Sequence, residues 1–259
     1  MKMKVFVLPR RLLSVLACAA AAAGMFLLVS HPNAVGAAAT QRQLPIYAVQ
    51  TEEKRIAISF DAAWGNEDTQ QLIDILARYD VPATFFLVGQ WVDRYPESVK
   101  ALADAGHSVQ NHSDTHPKLT ELSADGIAAE VNACSDKIEQ ITGTRPTLIR
   151  PPYGDYNDTV VNTIRSLGME PIQWDVDSLD WKELSAPEIT KRVLDNVQPG
   201  SIVLFHNAAL HTPEALPGII EALQAQGYTL CKIEELIYPA PYTIDHTGRQ
   251  QRDTSAPAA

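Results

Sequence analysis

Carboxylates, imidazoles and one guanidinium recur just after short apolar runs in this chain. Asp61 follows residues 56–60, His112 and His116 follow 107–110, and Arg150 follows 147–149. Asp175, Asp177 and Asp180 come after 170–174, and His206 after 201–205. Asp and His are the usual general bases and acids of hydrolysis, and a nearby guanidinium keeps a carboxylate ionised. Two histidines at i and i+4 meet on one face of a helical turn, the spacing by which H-E-x-x-H enzymes hold zinc, although no Glu follows His112 here. A catalytic zinc takes three protein ligands and leaves a position for water, so this pair needs a third donor.

These residues gain weight from the elements that must carry them. Apolar runs at 56–60, 83–88, 107–110, 147–149, 170–174, 201–205 and 228–231 read as strands, and segments of helical period separate them. Leu72, Ile75, Leu76 and Tyr79 share one helix face, and Ile127, Val131, Cys134, Ile138 and Ile141 share another. Asn157 is a cap candidate, Ser185-x-x-Glu188 is a capping box, and Gly106, Gly168 and Gly227 are stops. Seven strands alternating with helices predict an α/β fold with a parallel sheet, either a closed or distorted β/α barrel or an open doubly wound sheet. Both architectures gather their sites at the C-terminal ends of the strands, where the residues above fall.

Ser59-Phe60-Asp61, His112-Ser113-Asp114-Thr115-His116, Arg150-Pro151-Pro152-Tyr153-Gly154, Asp177-Ser178-Leu179-Asp180-Trp181 and Leu204-Phe205-His206 resemble, in order and spacing, the five motifs of the polysaccharide deacetylases, the NodB-homology family (carbohydrate esterase family 4). The segment 60–65 resembles the sporulation-associated branch most. The resemblance implies a distorted β/α barrel of about seven strands and an extracytoplasmic enzyme that removes N-acetyl groups from a cell-wall glycan resembling peptidoglycan. It implies a divalent metal, usually zinc, held by His112 and His116, with Asp61 as base and Arg150 holding it ionised. The backbone N–H of Tyr153 would face the oxyanion, and His206 would be the acid with Asp177 orienting it. Trp64, three residues past Asp61, is expected to wall the substrate site together with Tyr153.

One position departs from the family pattern: Ala62 stands where a second aspartate usually supplies the third metal ligand. Asp114, Glu67 and Asp68 are the nearby candidates to replace it. Two further readings follow, a glycan-binding pseudoenzyme and a metal-free hydrolase of another C–N bond.

The 259 residues carry a formal charge of −10, from 21 Lys and Arg against 31 Asp and Glu, which argues against a nucleic-acid binder. Residues 1–39 hold Lys2, Lys4, Arg10 and Arg11, no acid, and an uncharged run at 12–30, the layout of a signal peptide or an N-terminal membrane anchor. The sequence thus predicts a leader at 1–39, a linker at 40–53, the catalytic domain at 54–238 and a flexible tail at 239–259. The domain is expected outside the cytoplasm, touching a membrane only through an uncleaved leader.

Overall fold

A computed structural model of the protein describes residues 42–253, so the expected leader at 1–39 and the end of the tail lie outside the described residues. No helix among the described residues is long and apolar enough to cross a membrane. In chain order the elements are β1 (Ala48–Val49), β2 (Arg55–Ala62), α1 (Thr69–Arg78), β3 (Thr84–Leu87), α2 (Gly89–Arg94), α3 (Pro96–Asp104), β4 (Ser108–Asn111) and α4 (Ala124–Thr142). Then come β5 (Leu148–Ile149), α5 (Asp158–Ser166), β6 (Glu170–Pro171), β7 (Val176–Asp177), α6 (Ala186–Asn196), β8 (Ile202–His206) and α7 (Thr212–Ala225). The chain finishes with β9 (Thr229–Leu230), α8 (Ile233–Leu236), β10 (Tyr242–Ile244) and β11 (Arg249–Arg252).

Local chemistry sets the boundaries. Asn157 accepts the Val160 N–H at the start of α5, and Ser185 and Glu188 close a reciprocal capping box on α6. Gly143 ends α4 in the left-handed conformation at φ 72°, where a β-carbon would be strained. Pro96 lacks the N–H that would extend α2, so the segment between β3 and β4 is two helices.

The main sheet runs β6-β5-β4-β3-β2-β8-β7, all parallel, with β9 added beside the start of β2. It is a distorted barrel, because its end strands β6 and β7 do not pair with each other. The seam is filled from an unexpected source. Ile46 donates to the Pro171 carbonyl at 3.0 Å and accepts from Gln173 N–H at 2.7 Å, while Val49 N–H reaches the Gly200 carbonyl at 2.9 Å. Both side chains are fully buried, so residues 46–49 of the segment expected as a linker at 40–53 are part of the barrel wall.

The tail expected to be flexible is also corrected over its first part. β11 pairs with β1 and β10 in a second sheet, Gln250 is fully buried, and its amide oxygen accepts the Tyr238 N–H at 2.7 Å. Tyr242 and Ile244 pack on the apolar cluster containing Ile46, Val49 and Phe86. A strand sealing a gap made elsewhere in the chain has no local period to announce it.

Strand alternation sorts β2 into two faces. Ile58, Phe60 and Ala62 belong to the apolar cluster between sheet and helices, and Ser59 and Asp61 turn the other way, to the barrel interior, where Arg150 meets both. Cys134 and Cys231 are free thiols, each buried.

Deleting residues 241–259 removes Tyr242, Ile244 and Gln250 from the wall. At roughly 1–3 kcal/mol for each large apolar side chain and about 2–4 °C per kcal/mol for a chain of this size, the melting temperature should fall by about 10 °C. Calorimetry of the two proteins reads this, and an unchanged melting temperature would mean that β10 and β11 do not seal the barrel.

Candidate active site

The register of the two central strands builds the site. β2 and β8 pair so that Asp61 lies level with His206, which sets a carboxylate and an imidazole side by side at the C-terminal rim. Arg150 follows β5, its N–H donating to the Asn111 carbonyl of β4 at 3.0 Å, and its side chain crosses beneath the rim, fully buried. Its Nη1 donates to Asp61 Oδ1 at 2.6 Å, and Nη2 reaches Ser59 Oγ at 2.8 Å and the Gln173 carbonyl at 3.3 Å. The guanidinium also lies 4.2 Å from the Phe86 ring centroid and 5.6 Å from that of Trp174. Burial by itself would raise the Asp61 carboxyl, but Arg150, with His112 and His206, brings it below the usual carboxylate value.

His206 is set up in the opposite sense. Its Nδ1 lies 2.8 Å from Asp180 Oδ1, and its backbone N–H and the Thr212 hydroxyl both donate to Asp180 Oδ2. Burial would lower the imidazole, yet the hydrogen bond and charge of Asp180, helped by Asp61 and Asp177, raise it above its ordinary value. The fold therefore favours the imidazolium. Its contribution to stability is complete below the unfolded value near 6.5 and is lost as pH rises through the raised one.

This assigns the partner of His206 to Asp180 and corrects the expectation of Asp177. Asp177 Oδ1 accepts the Leu179 N–H at 2.9 Å and its carbonyl accepts from Arg192, so one oxygen of its carboxylate is held by its own loop while the side chain remains on the groove lining. Both aspartates lie in one short motif. Which one reaches His206 depends on Leu179, which adopts a left-handed φ of 54°.

His112 and His116 converge, with their Nε2 atoms 3.3 Å apart and His112 Nε2 3.5 Å from Asp61 Oδ2. His112 Nδ1 donates to the Arg150 carbonyl at 2.7 Å, which leaves its Nε2 as an acceptor for the His116 ring N–H. Burial pushes both imidazoles below the ordinary value, His116 to about 4.

The divalent metal implied by the resemblance does not fit this donor set as a three-ligand site. Ala62, 1% exposed, packs in the apolar cluster, and its methyl has no donor. None of the candidate replacements reaches the histidines. Asp114 Oδ1 is held by Lys137 at 2.6 Å, Glu67 Oε2 accepts the Asn66 N–H, and Asp68 Oδ2 accepts the Ala208 N–H. Among the described residues no group of three His, Cys, Asp or Glu side chains could hold a metal ion.

Above these groups is a groove of about 670 Å³ lined by Asp61, Trp64, His112, His116, Tyr153 and His206, with Asp177, Asp180, Trp181, Glu183 and Leu210 among its further walls. Trp64 stacks on the His206 ring at 5.7 Å and 18°, and Tyr153 meets His116 edge-on at 4.6 Å. The sequence reading missed Trp181, Glu183 and Leu210 as walls. Trp181 was visible inside a motif, whereas nothing in the sequence marks Leu210 as facing the groove.

An incomplete β/α barrel with a carboxylate favoured in its ionised form and an imidazole favoured in its protonated form at its C-terminal rim defines a class of acid–base hydrolytic sites. The polysaccharide deacetylase family model matches residues 48–172. Over 188 residues the chain is 38% identical to the peptidoglycan-N-acetylmuramic acid deacetylase PdaC of Bacillus subtilis, covering 73% of this chain and 40% of that protein. Over 183 residues it is 38% identical to the peptidoglycan-N-acetylglucosamine deacetylase PgdA of Listeria monocytogenes, covering 71% and 39%. A CE4 family pseudoenzyme from Bacillus anthracis superposes with a TM-score of 0.72 at 38% identity, covering 74% of this chain and 68% of that one, and a mutant of it has restored enzymatic activity. The chain belongs to the polysaccharide deacetylase (CE4) family, hydrolases that act on N-acetyl amide bonds. It spans about two-fifths of the length of the two named deacetylases.

Asp180→Asn should bring the His206 titration below its wild-type position, whereas Asp177→Asn should move it much less. Ring-nitrogen NMR shifts across pH 5–9 read both variants, and the reverse order would return the partner role to Asp177.

Proposed function

We propose that the chain is an extracytoplasmic hydrolase that removes N-acetyl groups from a cell-wall glycan of the peptidoglycan type. The observation that carries this reading is the pair of neighbouring strand ends, with Asp61 paired to Arg150 and His206 paired to Asp180. Amide hydrolysis needs a base for water and a proton for a poor leaving group. Asp61 takes a proton as the water oxygen bonds to the acetyl carbon. The Tyr153 N–H at the groove rim is offered to the oxyanion. His206 Nε2 then protonates the amine nitrogen as the C–N bond breaks, releasing acetate and a free amino sugar. No step is routed through a metal, because the three-ligand set is incomplete. Membership of a family of cell-wall deacetylases supports export, in line with the leader expected at 1–39.

Ala62 favours a second reading, a glycan-binding pseudoenzyme that keeps the groove and the acid–base groups without strong metal affinity. Acetate release from peptidoglycan and from N-acetylglucosamine oligomers, measured beside the metal content of the purified protein, separates the two. The catalytic reading expects release by the native chain and a loss of about 10²-fold or more in Asp61→Asn. Release only from Ala62→Asp, together with a gain of bound zinc, would establish the pseudoenzyme. Release that survives thorough chelation would identify a metal-free hydrolase.

A further inference from the structure

The two named relatives act on different sugars of the same polymer, and the sugars differ in charge: N-acetylmuramic acid carries a lactyl carboxylate and N-acetylglucosamine carries none. The groove of this chain has a charge pattern that bears on that difference. Inside it Asp61 is compensated by Arg150 and Asp180 by His206.

The remaining charged groups on the lining are the carboxylates of Asp177 and Glu183. Among the described residues no Lys or Arg side chain lines the groove. Lys182 Nζ lies over the Trp181 ring at 5.0 Å, and Arg192 Nε donates to the Asp177 carbonyl, not to its carboxylate. The rest of the open wall is apolar: Trp64, Tyr153, Trp181 and Leu210 are 47%, 66%, 51% and 70% exposed. Large apolar side chains left this open around one groove mark a binding surface, and aromatic faces suit the C–H faces of uncharged sugar rings. A ligand carboxylate entering here meets two like charges and no free cation.

We propose that this groove selects an uncharged N-acetylhexosamine chain and discriminates against the lactyl-bearing sugar, with Glu183 and Asp177 as the discriminating side chains. The inference rests on the glycan reading above, yet it concerns binding and does not require turnover. Its mechanism is electrostatic exclusion at a partly solvated rim, where single charge contacts are worth a few-fold in affinity and are screened by salt.

The test is titration of the full chain, as purified, with two peptide-free tetrasaccharides: one of N-acetylglucosamine alone, the other alternating it with N-acetylmuramic acid. Calorimetry or tryptophan fluorescence reads the affinity. The neutral tetramer should bind at least about fivefold more tightly at low salt, and the gap should shrink in 0.5 M NaCl and in Glu183→Gln. Equal or tighter binding of the lactyl-bearing tetramer would overturn the proposal. So would a gap that neither salt nor Glu183→Gln changes, since shape would then be the cause, and so would binding of neither sugar. A preference seen without acetate release supports this inference while removing the catalytic reading, so the two fail separately.

Discussion

A fully buried guanidinium is the constraint around which this barrel is arranged. Taking Arg150 out of water would cost several kcal/mol without partners, so the fold must bring acceptors to it from distant parts of the chain. It does so from Asp61 and Ser59 on β2 and from the Gln173 carbonyl beyond β6, with the Phe86 and Trp174 rings beside it. A one-residue slip of β2 would turn Asp61 and Ser59 away and present apolar side chains to the charge. The register that satisfies Arg150 is also the one that sets Asp61 level with His206.

The two ion pairs then do opposite things with protons. Arg150 favours the ionised form of Asp61, and Asp180 favours the protonated form of His206, so two neighbouring groups are biased toward the states a base and an acid require. The loops that carry the site accept strain. Ser113, His116, Tyr153, Leu179 and Ala208 all have left-handed backbones with φ between 53° and 65°. For residues with a β-carbon each such position costs roughly 1 kcal/mol or more, and the surrounding hydrogen bonds must hold it.

Ala62 shows how narrow the difference between neighbouring positions is. Asp61 turns into the barrel, and the next side chain packs among apolar groups on the other face of the strand. The Asp61–Arg150 and His206–Asp180 pairs are therefore formed while the donor set for a metal is short by one. A CE4 family pseudoenzyme to which the chain is similar has a mutant with restored enzymatic activity.

The sequence by itself determined the alternation of strands and helices through most of 56–231, though not β7, together with the helix caps at Asn157 and Ser185, the five motifs, and the missing ligand at position 62, because these are local: periodicity, capping chemistry and residue identity are written within a few positions. It also pointed to Asp61, Arg150 and His206, since strand ends of a parallel sheet share one rim. Only the tertiary structure decided that Asp180 and not Asp177 meets His206, because a left-handed turn at Leu179 aims the loop and no spacing rule reports it. Only the tertiary structure turned residues 46–49 and much of the tail into barrel wall. β1 and β11 are short strands that pair with each other across about 200 residues, with β10 joined to β11 as a local hairpin, and pairing over that distance is a property of the assembled fold, with no trace in the local pattern.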